Sequence, residues 1–560
     1  MSAVAKERVD ESPAQSEGGD ERDRFSGSES IFLRPFSRLS DRTLVFVCGA
    51  ILFVLAVWSQ ALVKFPPYQD LPDHLATVVV LQNPSLYPDF IPTGFVHTNS
   101  LLAATIFFGS KVFGLLGTAR IFIVLTLAVT SWMLPACVLS FSDRRRMLIS
   151  LPFMAPMIHN WWVAMGMLNF ALGFPLSLAL LMLQRKQLRE FQMRRAVGVA
   201  ICSTILWLTH SIPVTLAGAL CAMEALRSRH APHRFRMILR LLIPFTPTFV
   251  LVVYTSVTHA AGVHTPQAGS LELTWSIFRD SASVVYELWS CWFMQMSTWT
   301  SPTIVTALIL GLLAIRYWRS DAPFFGSWTF PALAGIYFAL PGHLPAFAYV
   351  AHRVVPYFWM AALLRLPRRL PLAVQLATCA IALATSVGTA VELVRGEADI
   401  EKFSSAAPYV ADKARMFTLN FRIRVSSTNT EALSHASGMY VVAKRVTAQN
   451  VWADAVTMPI YRPTKPDYLD DPAAIRKLTD WSSTPADYCK LGKKMGLPTE
   501  QCRADWVKLW ERIWEKVNVD RDYVLLWYPA DELRQILPKQ WTVAYENGPI
   551  LLMKTNAPPR

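Results

Sequence analysis

The sequence predicts a mainly α fold: a polytopic bundle of about 11–13 membrane segments with a small C-terminal α/β domain. Three observations predict it. Over 560 residues the mean hydropathy is +0.30 and only 17% of side chains are charged, against about 25% in average globular proteins. Several apolar stretches approach or reach the roughly 17–25 residues a helix needs to cross a bilayer. The basic residues of the apolar part sit in clusters between those stretches, as the positive-inside rule expects. Together these features exclude a disordered, collagenous or ordinary soluble chain.

Residues 1–42 hold 7 basic and 9 acidic side chains and are rich in Ser, Glu and Gly. They predict a disordered cytoplasmic tail. No apolar core of a signal peptide follows the start, and Arg34, Arg38 and Arg42 keep the N-terminus inside. Residues 43–395 form the transmembrane domain. Their apolar runs are 43–63, 101–117, 119–140, 147–162, 167–183, 196–209, 211–226, 238–257, 302–317, 328–342, 346–364 and 371–393. Basic clusters follow at Arg144–Arg146, Arg185–Arg195, Arg227–Arg240, Arg316–Arg319 and Arg365–Arg369. All five face the cytoplasm if 101–140 crosses the membrane once, net, with 101–117 re-entrant or interfacial. Lys111 and three glycines weaken 101–117 as a spanning helix.

That topology sends the loop 64–100, the turn His159–Asn169, the turn at His210, the loop 258–301 and Pro341–Pro345 to the outer face. The aromatic stretch 275–299 predicts an interfacial helix, read first as an aromatic belt element and second as the lining of a lipid or sugar groove. The net charge of +14 does not imply nucleic-acid binding, because 43–395 alone carries 24 basic against 11 acidic residues, between apolar runs.

Residues 396–560 predict an extracytoplasmic α/β domain. Thr418–Val425 alternates with period two, Tyr523–Tyr528 is a buried-strand candidate, and Glu546-Asn-Gly548 joins the arms of a hairpin. Trp506, Leu509, Trp510, Ile513, Trp514 and Val517 share one face of a helix over 503–517. Six of the eight cysteines are singletons in apolar segments. The remaining two, Cys489 and Cys502, are predicted to form a disulfide, which requires an oxidising compartment.

The chemistry is expected on the outer face. Asp70, Asp73 and Asp89 are the acidic residues between 43 and 140. Asp70, Asp73 and His74 stand within five positions and suit a general base or a metal ligand. The plain alternative is a solvated loop in which Asp73 caps a following helix. A divalent metal ion is the cofactor this loop suggests, with Asp70 and Asp73 as its ligands. Arg353, with His343 and His352 nearby, suits a phosphate; its alternative is snorkelling to the interface. His97, His210 and Asn169 complete the candidate substrate contacts, although a hydrogen-bonded interfacial histidine is the favoured reading of the two histidines and a turn-forming role explains Asn169 equally. No P-loop, GxSxG elbow, HExxH or EF-hand loop is present.

The acidic loop after one membrane helix resembles that of the GT-C superfamily, polytopic glycosyltransferases that use lipid-linked sugar donors. Asp73-His74 stands where such proteins often carry Asp-Glu. Lys111-Val-Phe-Gly114 with Ala119-Arg120, Asn160-Trp-Trp162 with Gly166 and Asn169-Phe170, and the C-terminal Asp522–Trp527 and Tyr545–Gly548 are similar to segments of that group. The resemblance implies a multi-pass protein of a cell membrane, of the bacterial inner-membrane type. It also implies transfer of a hexosyl or pentosyl group from a polyprenyl-phosphate donor to a glycan, lipid or protein acceptor of the cell envelope. Asp73 is then the catalytic base or metal ligand and Asp70 its partner. The alternative function is a transporter, flippase or assembly protein for lipid-linked saccharides, which should show deep intramembrane charges and an inverted repeat.

Overall fold

The computed structural model describes residues 39–227, 231–260, 281–293, 301–341, 349–424, 431–449, 451, 453, 457–463, 467–494 and 499–558. The chain divides into two units between Leu44 and Val45. Of the tail predicted over 1–42, residues 1–38 lie outside the described residues, and a helix opens within its last part, at Asp41.

The helices of the first 404 residues follow in chain order. They are α1 (Asp41–Val57), α2 (Leu71–Gln82), α3 (Leu101–Phe141), α4 (Arg144–Ile158), α5 (Trp161–Ala164), α6 (Leu168–Arg189), α7 (Met193–Thr209) and α8 (Ser211–Arg227). Then come α9 (Ala231–Leu242), α10 (Thr246–Ala260), α11 (Ser281–Phe293), α12 (Thr303–Arg316), α13 (Thr329–Ala339), α14 (Val355–Leu363) and α15 (Leu372–Ser404). Among the described residues five helical stretches are long and apolar enough to cross a membrane: Asp41–Leu62, Leu101–Phe141, Leu168–Arg189, Phe235–Thr258 and Leu372–Tyr409. The other apolar runs form shorter helices. Turns at His159 and His210 end α4 after 15 residues and α7 after 17, while α12 and α13 have 14 and 11.

α3 is broken at Gly114, whose φ of 69° and ψ of 167° only glycine adopts without strain. A Cβ on Gly109 would lie 2.5 Å from Thr118 Cγ2, whereas nine residues of straight helix separate two positions by about 13 Å. The chain therefore folds back at Gly114, and the part after it runs antiparallel to α1. Arg120 donates to the Gln60 carbonyl at 2.9 Å, and Trp132 packs on Gly49. The far end of α3 meets the basic clusters. Arg185 stacks on Phe141, Arg146 donates to the Leu366 carbonyl, and Arg368 pairs with Asp143 at 3.0 Å. Arg365 donates to the Trp318 carbonyl, and Glu224, paired with Arg227, accepts from the Phe324 amide. Members of all five clusters thus share one end of the bundle. This requires 101–140 to traverse it once, net.

The opposite end carries the loop 64–100 and the C-terminal part. The latter contains α16 (Gly438–Lys444), α17 (Pro472–Trp481), α18 (Pro485–Lys494), α19 (Thr499–Asp520) and α20 (Asp531–Gln535). Strand β1 (Ile91–Pro92) of the outer loop pairs with β3 (Ile460–Tyr461). The sheet of β2 (Met416–Asn420), β4 (Tyr523–Trp527), β5 (Thr542–Asn547) and β6 (Ile550–Lys554) has the order β2-β4-β6-β5, with β2 and β4 parallel and the rest antiparallel. The β5–β6 hairpin turns at Gly548, as the Asn-Gly pair predicts. α19 covers this sheet with Trp506, Trp510, Ile513, Trp514 and Val517 buried. Cys489 and Cys502 are disulfide-bonded with Cα atoms 5.7 Å apart, tying α18 to α19.

Of the aromatic stretch 275–299, residues 281–293 are described. Trp289, Trp292 and Phe293 are buried rather than lipid-facing: Trp292 packs on Phe174, Phe293 on Trp359, and Trp289 donates to Thr303 at 2.8 Å. The apolar faces of α6, α12 and α14 supply enough partners to draw these rings inward.

Candidate active site

The acidic loop builds its helix one turn earlier than the sequence suggests. α2 begins at Leu71, with Asp70 as its N-cap, Pro72 in the first turn and Asp73 one residue further. Proline suits that position, since its missing N–H would have no partner there, and a carboxylate is favoured by the helix dipole. Asp70 makes no side-chain cap hydrogen bond. Its carboxylate is directed elsewhere, while Asp73 is buried in the first turn.

The turn after α5 fixes the backbone of Asp70. Asn160 caps α5 by accepting from the amides of Trp162 and Val163. The chain then reverses at Gly166, with φ of 79°. The Asp70 amide donates to the Met165 carbonyl at 3.0 Å, and the Gln69 amide to that of Ala164. A Cβ on Gly166 would stand 2.8 Å from the Asp70 nitrogen, so the close approach itself requires glycine.

Around Asp70 the structure gathers residues distant in sequence. His435 Nε2 lies 3.6 Å from Asp70 Oδ1, and the Arg353 guanidinium acts on the same carboxylate electrostatically. The Gln69 side chain accepts from the Glu431 amide at 3.1 Å. Burial pushes the Asp70 carboxyl up to about 7, against the lowering influence of a Gln69 hydrogen bond and of Arg353. His74, hydrogen-bonded to the Gly166 backbone, and His435 are both lowered by burial to about 4, so both are neutral near pH 7.

Arg353 lies on the turn Ala351–Val354 and is 6% exposed, so it does not snorkel. Its guanidinium lies over the rings of Phe170 at 5.0 Å and Trp162 at 5.3 Å, contacts Met167, and meets His210 Nε2. His210 accepts from the Ile212 amide on Nδ1. Beside it, His352 pairs with Glu287 at 3.0 Å.

Of the predicted site residues, Asp70, His74, Arg353 and His210 converge here, with Asp73 on the adjoining turn of α2. His97 and Asn169 hold their own surroundings. Both ring nitrogens of His97 face carbonyls, those of Thr98 and Gly94. Asn169 accepts from the Leu102 amide and donates to the Asn99 carbonyl, clamping α3 to α6. His343 lies outside the described residues. Among the described residues no group of three or more His, Cys, Asp or Glu is placed to hold a metal ion, so the donor set around Asp70 does not fit a dedicated metal centre.

Gln69, Glu431 and His435 escape sequence reasoning, and Trp162 enters it only within the Asn160-Trp-Trp162 segment, without a role. A weak signal for one of them exists: His435 is the sole histidine of 396–560.

The arrangement sets a carboxylate poised near neutrality beside a buried guanidinium with aromatic walls. Such a pair can accept a proton at one point and meet an anionic oxygen at another. No family profile matches the chain, and no curated protein is similar to it in sequence. In three dimensions it is similar to the crystal structure of ArnT from Cupriavidus metallidurans bound to undecaprenyl phosphate. The TM-score is 0.52 at 11% identity, over 93% of this chain and 100% of that one. The chain therefore has an ArnT-like fold.

Proposed function

We propose that this protein is a membrane glycosyltransferase that moves a sugar from a polyprenyl-phosphate donor to an acceptor on the extracytoplasmic side. The observation that carries the reading is a partly buried Asp70 carboxylate within electrostatic reach of the buried Arg353 guanidinium, on a fold similar to that of a protein crystallised with undecaprenyl phosphate. Asp70 takes the proton of the acceptor hydroxyl as its oxygen bonds to the anomeric carbon. The bond from that carbon to the donor phosphate breaks, its electron pair stays with the phosphate, and Arg353 offsets the charge. The aromatic faces of Trp162 and Phe170 keep the guanidinium in place and shielded from bulk water. Asp73, in the dipole-favoured first turn of α2, is the second carboxylate of the proposal.

The end of the bundle opposite the basic clusters then faces outward. This gives the organisation of a cytoplasmic tail over 1–42, a transmembrane domain over 43–395 and an extracytoplasmic domain over 396–560, in a membrane of the bacterial inner type. The disulfide supports the outward placement, because stable disulfides need an oxidising compartment.

The test is incubation of purified protein with a panel of polyprenyl-phosphate sugars. Release of polyprenyl phosphate in the presence of acceptor is expected. Movement of donor across a reconstituted bilayer without turnover would establish the transporter alternative instead.

A further inference from the structure

We propose that His435, carried by the C-terminal segment 431–438, is a positioning residue for the Asp70 carboxylate, so that the C-terminal part completes the site. The inference rests on the transferase reading and adds a residue to it. The segment meets the start of α2 in an ordered sequence of contacts. The Glu431 amide donates to the Gln69 side chain at 3.1 Å. His435 Nε2 stands 3.6 Å from Asp70 Oδ1. At Gly438, a Cβ would come within 2.5 Å of the Pro72 carbonyl oxygen. Positions 431, 435 and 438 thus lie against 69, 70 and 72, and the two backbones approach as closely as glycine permits.

The chemistry of the pair gives the contact a purpose. Asp70 occupies an N-cap without making the usual cap hydrogen bond, so the start of α2 does not fix its carboxylate. Arg353 acts on that carboxylate electrostatically, which favours its ionised form without fixing which oxygen faces the acceptor. In the tautomer with its proton on Nε2, His435 offers a donor to Oδ1 and leaves Oδ2 to receive a proton. The other ring nitrogen, Nδ1, is buried without a hydrogen-bond partner, so no second partner dictates the ring's orientation.

The experiment compares kcat and KM for donor turnover by the full-length wild type and by His435→Leu, His435→Ala and His435→Gln. Truncation to Leu or Ala is expected to lower kcat ten- to hundredfold with KM for the donor within about twofold. His435→Gln keeps a donor near the same point and is expected to recover at least tenfold of any hundredfold loss. Thermal midpoints identify a variant that has lost its fold, and either truncation serves if the other is unstable. Turnover within twofold of wild type in a folded truncation overturns the inference. So does a Gln variant no better than Ala, which would reduce His435 to packing. A wild type that turns over no donor removes the transferase reading and this inference with it, an outcome distinct from an active enzyme indifferent to position 435.

Discussion

Asp70 and Asp73 stand three residues apart, yet the fold gives them different surroundings. Asp73 lies buried in the first turn of α2, whereas Asp70 faces His435 and Arg353. The resemblance to the GT-C superfamily implies Asp73 as the base, while the surroundings of Asp70 support Asp70. The two assignments separate experimentally. Asp70→Asn is expected to lower kcat by about 10²–10⁴-fold, the usual scale for a general base. An equal loss in Asp73→Asn, with Asp70→Asn near wild type, would return the role to Asp73. The raised carboxyl of Asp70 also carries a pH signature. As a base it must be ionised, so turnover should fall as pH drops through about 7. For stability the sign is opposite: a carboxyl raised on folding favours the protonated native state, and that contribution is lost as pH rises toward 7. Asp70→Asn should therefore raise the thermal midpoint more at pH 8 than at pH 5, and an equal shift at both would argue against a perturbed carboxyl.

Helix ends and glycines decide where the functional groups stand. Gly166 brings the turn after α5 onto the Asp70 backbone, and Gly438 brings α16 onto Pro72. Gly438→Ala is expected to push α16 away from α2 and lower turnover at least tenfold while leaving the disulfide formed, as measured by thiol alkylation with and without reduction. Full activity would mean that α16 needs no such approach. Between α18 and α19, Cys489 and Cys502 close a short loop. In the chain-entropy model this contributes about 3 kcal/mol, and Cys489→Ser with Cys502→Ser should lower the denaturation midpoint of the C-terminal part accordingly. An unchanged midpoint would show that the Trp-rich face of α19 holds the domain without it. These elements were legible in unequal measure. The period of α19 and the β5–β6 turn followed from local patterns, because each is set by residues adjacent in sequence. The burial of Trp289 and Trp292 was not, since an aromatic helix reads the same whether it meets lipid or another helix.

At the scale of the molecule, the basic clusters collect at one end and the acidic loop at the other. With the clusters inside, a cysteine at Ser142 should react with an impermeant reagent only after the membrane is opened. Labelling from outside intact cells would invert the bundle and put the disulfide in the cytoplasm.

The sequence by itself determined the membrane class, the period of α19, strand β4, the β5–β6 hairpin and the acidic loop. All of these are properties of contiguous residues, expressed through hydropathy, side-chain period and charge clustering. Strand β2, by contrast, runs over Met416–Asn420, buried rather than alternating, and not over the predicted Thr418–Val425. Only the tertiary structure decided which carboxylate feels Arg353 electrostatically, that His97 is held between carbonyls, and that His435 lies against Asp70. The 364 residues between them leave no local pattern behind: what joins them is the packing of α16 on α2, fixed by the close approach at Gly438 and the pairing of β1 with β3.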